Sequence, residues 1–195
     1  MRLNLKDIYS QSWNIFTRNW WEYILVTFIM LVLLYIPFGN ILQMLILCLM
    51  FNAVLLFVKN GSISFSDFFN FKTVLNPTVI SIIVIIGLCY FGFQLLDFSA
   101  LYIIFSIVYF IFAIILFPLF CVAIDKNLSL KDTVLYSAKL TKNIRKEILV
   151  IMIINFFIGL VGILIFFVGI FVAIPIVSIA TVIVYKELEK NNISN

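Results

Sequence analysis

The sequence predicts an all-α, polytopic membrane protein. Six transmembrane helices are expected as three hairpins, each preceded by a cytoplasmic amphipathic helix, with both termini in the cytoplasm. Two observations carry this. First, 65% of the 195 residues are hydrophobic and only 11% are charged. A soluble domain of this length needs a far more polar shell, so most of this surface must face lipid. Second, the basic residues fall in four stretches: Arg2 to Arg18, Lys59 to Lys72, Lys126 to Lys146, and Lys186 to Lys190. Between them lie apolar runs without a positive charge, and their turns at Pro37 to Asn40, at Asp97 and near Gly169 also lack one. Cytoplasmic loops retain Lys and Arg, so the partition reads as three hairpins inserted from one side.

The whole chain, 1–195, is expected to form one transmembrane domain, with spans at 20–36, 41–58, 78–96, 99–124, 148–166 and 168–185. About 20 apolar residues cross a hydrocarbon core roughly 30 Å thick. The last apolar stretch, 148–185, would run to about 57 Å as a single helix, so it must fold back near Gly169. Pro37, Phe38, Gly39 and Asn40 mark the first outer turn and Asp97 the second. Trp13, Trp20, Trp21 and Tyr23 gather at the first cytoplasmic boundary and Tyr185 at the last, as interfacial anchors do. The first run has no small-residue cleavage site after it and is expected to be retained as a span.

Before each hairpin a cap-forming residue stands three positions ahead of an aspartate: Asn4 and Asp7, Ser64 and Asp67, Ser129 and Asp132. That reciprocal spacing opens helices. An asparagine then precedes each apolar run (Asn19, Asn76, Asn143), and Ile24-Leu25-Val26 recurs as Ile148-Leu149-Val150. The pattern points to an internal repeat of amphipathic segment plus hairpin. Leu5, Ile8, Ser12, Ile15 and Phe16 form a helical stripe, which predicts a helix lying along the inner leaflet.

The chemistry is bounded mainly by exclusion. The chain has no histidine, which removes His-dependent metallopeptidases, Ser-His hydrolysis and His-ligated haem. No ionisable residue stands mid-span, where proton relays and aspartyl intramembrane proteases need one. Cys48, Cys89 and Cys121 lie in apolar runs without metal-ligand spacing. The expectation is therefore no catalytic residue, cofactor or metal. A net charge of +4 flanks the spans instead of forming a patch, which argues against nucleic acid and for membrane lipids, anionic ones included. The densest basic stretch nominates Lys139, Lys142, Arg145 and Lys146 as lipid headgroup contacts. Gln43, Asn52, Gln94 and Asn155 are the intramembrane polar positions, read as interhelical hydrogen-bonding groups or as the lining of a headgroup path. Pro118 and Pro175 are the candidate helix kinks. Gly169 with Ala173, and Gly159 with Gly162, offer close helix approach.

Trp13 in an amphipathic N-terminal helix, Asn19 before the first span and the basic connection from Ser129 to Asn143 form a recognisable set. With them goes a last span that contains Pro175 and ends in Tyr185-Lys186-Glu187-Leu188. Together they resemble a broad group of bacterial six-span integral membrane proteins, similar to the membrane-anchoring domain fused to some glycerophosphodiester phosphodiesterases. The resemblance implies an all-helical bundle without catalytic residues, because the fused enzymes carry their chemistry in a separate soluble barrel. The expected role is a non-enzymatic, multi-pass scaffold or accessory protein of the cytoplasmic membrane that binds lipid or a membrane protein partner. The alternatives are a transporter or permease component for a hydrophobic or lipid-like substrate, and an immunity protein against a membrane-active peptide.

Overall fold

A computed structural model of the chain describes residues 3–33, 35, 39–94, 100–165 and 168–193; within these, the side chains of 40, 90, 91, 93, 94, 100–105, 192 and 193 are not described. The described residues are helical with no strand. The helices are α1 (Leu5–Arg18), α2 (Trp20–Leu33), α3 (Gly39–Asn60), α4 (Phe71–Val74), α5 (Pro77–Gln94), α6 (Ala100–Ile115), α7 (Leu119–Lys126), α8 (Leu130–Thr141), α9 (Arg145–Leu164) and α10 (Ile170–Ile193), with a 3-10 helix at Phe65–Phe69.

Three stretches are long and apolar enough to cross a membrane: Ile41–Asn60, Arg145–Leu164 and Ile170–Asn191. A fourth is obtained if Ser106–Ile115 and Leu119–Lys126, which meet at 42°, count as one bent span. The expected first and third spans correspond to shorter apolar helices, Trp20–Leu33 and Pro77–Cys89. At 14 residues, α2 rises about 21 Å, less than a full hydrocarbon core. Pro37, Phe38 and Asp97, the expected outer turns, lie outside the described residues.

The central helices are α3, α7 and α10. Each carries a neighbouring element along its flank: the 3-10 helix and α4 pack on α3, α8 on α7, and α1 on α10. The first two pairings join chain neighbours, whereas the third brings the first helix onto the last. The apolar face of α1, expected to lie against the leaflet, is turned onto protein. The α1 stripe of Ile8, Ser12, Ile15 and Phe16 is buried against protein. The second amphipathic helix is also absent as such. Between Ser64 and Pro77 the chain makes a 3-10 turn and a four-residue helix. Asn70 breaks the run with a non-helical backbone, φ −77° and ψ 73°, and Asn76, which precedes Pro77, lies outside both flanking helices.

The bend between α6 and α7 has a direct cause. Pro118 has no N–H to donate, and Leu119 turns back to the Leu116 carbonyl at 2.9 Å, which leaves the Ile115 carbonyl free. Thr141 of α8, fully buried, donates its hydroxyl to that carbonyl at 2.7 Å. A break in an apolar helix would otherwise strand a carbonyl away from water, so α8 is fixed beneath it. Pro175 lies in the second turn of α10, and the helix continues through it.

At the other hairpin α9 and α10 approach until glycine is required. A Cβ on Gly169 would come 2.7 Å from the Gly162 carbonyl oxygen, and one on Gly162 would come 2.8 Å from the Ala173 Cβ. Gly159 does not share this role, since nothing lies within 4 Å of its would-be Cβ.

Burial is concentrated where the basic residues are. Tyr23, Phe68, Val74, Val122, Ile148 and Tyr185 are all fully buried. On α5, on α6, along α9 and at the α9–α10 turn, Leu88, Tyr109, Phe156, Leu164 and Val168 are between 64% and 72% exposed, apolar surface on a scale that water does not tolerate.

Candidate functional site: the basic end of the bundle

The three expected cap pairs all form side-chain contacts. Asn4 Nδ2 donates to Asp7 Oδ2 at 2.5 Å. The Ser64 backbone N–H donates to Asp67 Oδ2 at 2.8 Å, and the Ser129 hydroxyl donates to Asp132 Oδ2 at 2.6 Å. The preceding helices end alike as well: Gly61 after α3 and Asn127 after α7 both have left-handed backbones, φ 77° and 48°. The three asparagines before the apolar runs do not behave alike. Asn76 caps α5 by accepting from the Val79 N–H at 2.8 Å and ties it to α7 by donating to the Ala123 carbonyl at 3.0 Å. Asn19 sits in the α1–α2 joint, and Asn143 is exposed.

The ends of α3, α7 and α10 meet in an ion cluster that the sequence reading missed. Asp125 is its hub, with its side chain 4% exposed. Its Oδ1 accepts from Lys59 Nζ at 2.6 Å, and its Oδ2 accepts from Lys186 Nζ at 2.8 Å and from the Tyr185 hydroxyl at 2.7 Å. Lys186 also pairs with Glu189 at 2.8 Å, and Glu189 with Lys126. A carboxylate removed from water is tolerated only with such a full set of donors. The cluster thus fastens three chain segments that enter it from sequence positions far apart. Tyr185 and Tyr23, expected as interfacial anchors, are both fully buried. Tyr185 hydrogen-bonds Asp125, and the Tyr23 ring stands edge-on to Phe68 at 5.0 Å. Trp13, Trp20 and Trp21 remain between 51% and 59% exposed. The available signal was Asp125 itself, an acid directly after an apolar run and before a lysine.

The nominated cations are placed differently. Lys139, Lys142, Arg145 and Lys146 are all exposed around the α8–α9 joint, and none joins an ion pair among the described residues. Leu135 and Val150, on either side, are 58% and 43% exposed.

The polar positions inside the apolar helices divide into three kinds. Gln43 donates to the Met30 carbonyl at 3.0 Å across the α2–α3 hairpin, and Asn155 accepts from the Tyr9 hydroxyl at 2.8 Å, which pins α1 to α9. These are interhelical bonds. Ser81, Ser178 and Thr181 instead donate to carbonyls four residues back in their own helices, so they hold no neighbour. The Asn52 amide nitrogen is buried with no hydrogen-bond partner. The Gln94 side chain lies outside the described residues. Cys48 and Cys121 are buried and Cys89 exposed, all as free thiols. Among the described residues no group of His, Cys, Asp and Glu could hold a metal ion.

No known family, curated protein or solved structure matches this chain.

Proposed function

We propose that this protein is a non-enzymatic, multi-pass accessory protein of the cytoplasmic membrane that binds anionic lipid at its basic end. In this reading six helices span as three hairpins with that end cytoplasmic, and the chain is a threefold repeat of amphipathic segment plus hairpin. The observation that carries the functional reading is the set of four exposed, unpaired cations at the α8–α9 joint, flanked by exposed Leu135 and Val150. Cations beside apolar surface sit at the headgroup plane, where each attracts anionic lipid by about 1 kcal/mol. The repeat is supported by the recurring contact between a cap-position side chain or backbone and an aspartate three residues on, and by the flanking elements packed on each central helix.

Replacing Lys139, Lys142, Arg145 and Lys146 together with Gln is expected to weaken retention of anionic phospholipid by the purified protein, read by native mass spectrometry. Unchanged retention would leave these charges a role in insertion alone and would remove the lipid-binding reading. Topology is tested separately. With the native cysteines replaced, cysteines at Asn40 and Ser99 are expected to react with an impermeant thiol reagent on intact cells, and cysteines at Asn60 and Asn127 only after lysis. Labelling of Asn127→Cys from outside would overturn the six-span arrangement.

A transport role for a lipid-like substrate is the second reading, favoured by the 42° break at Pro118, since broken helices line transport pathways. Loss of activity in a stably folded Asn52→Leu protein would bring it forward.

A further inference from the structure

We propose that the crevice between α1 and α3 seats the phosphodiester of one anionic phospholipid, with Arg18 as its cation. This rests on the lipid-binding reading above but assigns a site that the four α8–α9 cations do not provide. The crevice holds about 210 Å³ and is lined by Gln11, Asn14, Ile15, Arg18 and Phe57. Gln11, Asn14 and Arg18 are one face of α1, at the three- and four-residue spacing that stacks side chains. All three are exposed, whereas Ile15 is only 7% exposed and, with Phe57, gives the crevice an apolar floor. A guanidinium and two primary amides offer N–H donors above, and apolar carbon lies below. That combination matches a phosphate ester that continues into a glycerol and acyl chain.

Three further features favour an anion and fix its source. Arg18 pairs with no carboxylate among the described residues, although Glu22 stands one turn on. Phe57 is two residues before Lys59, the outermost member of the ion cluster, and that cluster of three lysines and two carboxylates carries a net positive charge. Trp13, Trp20 and Trp21 stand next to these residues in sequence, each about half exposed, although none of them lines the crevice. Indole rings gather at headgroup depth, which sets this stretch of α1 and α2 level with lipid headgroups.

The test uses the full chain purified in mild detergent with added phosphatidylglycerol or phosphatidylcholine, read by native mass spectrometry as detergent washing proceeds. The wild-type protein is expected to keep one phosphatidylglycerol after other lipid is stripped and to keep no phosphatidylcholine in its place. Arg18→Gln should lower the occupancy of that last lipid about tenfold or more, because hydrogen bonds to a charged group are lost. Arg18→Lys should lower it less, since the charge stays and the fork is lost. The four-Gln variant at α8–α9 should still keep the last lipid. Melting temperatures of the delipidated Arg18 variants should match wild type, as the side chain is exposed.

Equal retention by Arg18→Gln overturns the site while leaving the wider lipid reading intact. No anionic lipid on the wild type overturns both. Arg18-dependent binding of inorganic phosphate in phosphatidylcholine nanodiscs, without a preference for phosphatidylglycerol, would make the occupant a soluble phosphate and overturn the proposal.

Discussion

Asp125→Asn is expected to unfasten the basic end of the bundle and to cost about 3 to 5 kcal/mol, the range for removing one partner from a buried ion pair. Asp125 accepts three hydrogen bonds on a side chain 4% exposed, and Lys186, 21% exposed, would lose its principal partner. Lys59→Gln removes one bond from the same hub but should cost much less, about 0 to 1 kcal/mol, because Lys59 is 49% exposed and water screens it. Thermal unfolding in detergent measures both. Thiol labelling gives a local readout: Cys121, buried one turn before Asp125, should become reactive in Asp125→Asn at temperatures where it stays protected in Lys59→Gln. Similar small losses in the two variants would mean that the cluster is an ornament of the basic end, and that apolar packing alone closes it.

The second large effect is expected at the α9–α10 crossing, where neighbouring glycines should respond with opposite sign. Gly162→Val places atoms where Ala173 Cβ already lies 2.8 Å from the first added carbon, with the Gly169 carbonyl at 3.0 Å. The obstruction includes backbone, which cannot swing aside as a long side chain could. Overpacking of this kind costs about 1 to 3 kcal/mol, and more where the backbone must part. Gly159→Ala meets open space and should stabilise α9 by about 0.5 to 1 kcal/mol through the conformational freedom removed from the unfolded chain. Melting temperatures of the two proteins in the same lipid should fall on either side of wild type. A fall in both would mean that Gly159 faces a neighbour after all, such as a second copy or a partner helix.

Local signals in the sequence translated well into structure, and signals about partners translated poorly. The capping pairs at Ser64 and Ser129 were legible because a cap is satisfied within four residues, whereas Asn4 meets the Asp7 side chain and leaves α1 without a side-chain cap. The break at Pro118 was legible because a missing N–H is a property of the residue itself. What covers a stripe was not legible. The α1 pattern of Ile8, Ser12 and Ile15 fits a leaflet surface and a protein groove equally, since period alone records that a face is apolar and not what lies opposite. Tyr185 illustrates the same limit: a tyrosine at the end of an apolar run has the composition of an interfacial anchor, yet its hydroxyl reaches Asp125, 60 residues earlier. The ion cluster stayed hidden for a related reason. Lys59, Lys126 and Lys186 served as markers of sidedness, and their pairing depends on three helix ends converging, which hydropathy does not encode. The glycine pair divided for geometric reasons, because Gly162 faces α10 and Gly159 does not.

The docking of α1 on α9 and α10 has a consequence for how the chain is made. The Tyr9 hydroxyl meets Asn155 across 146 residues of sequence. At a synthesis rate of about 5 to 20 residues per second, α1 leaves the ribosome roughly 7 to 30 s before that partner exists. Throughout this interval α10, the helix on which α1 packs, is not yet there to cover it. The bilayer surface, into which an amphipathic helix partitions readily, is the holding place at hand. The order of synthesis therefore separates two states of α1, uncovered by α10 at first and packed on it once the last helix is made.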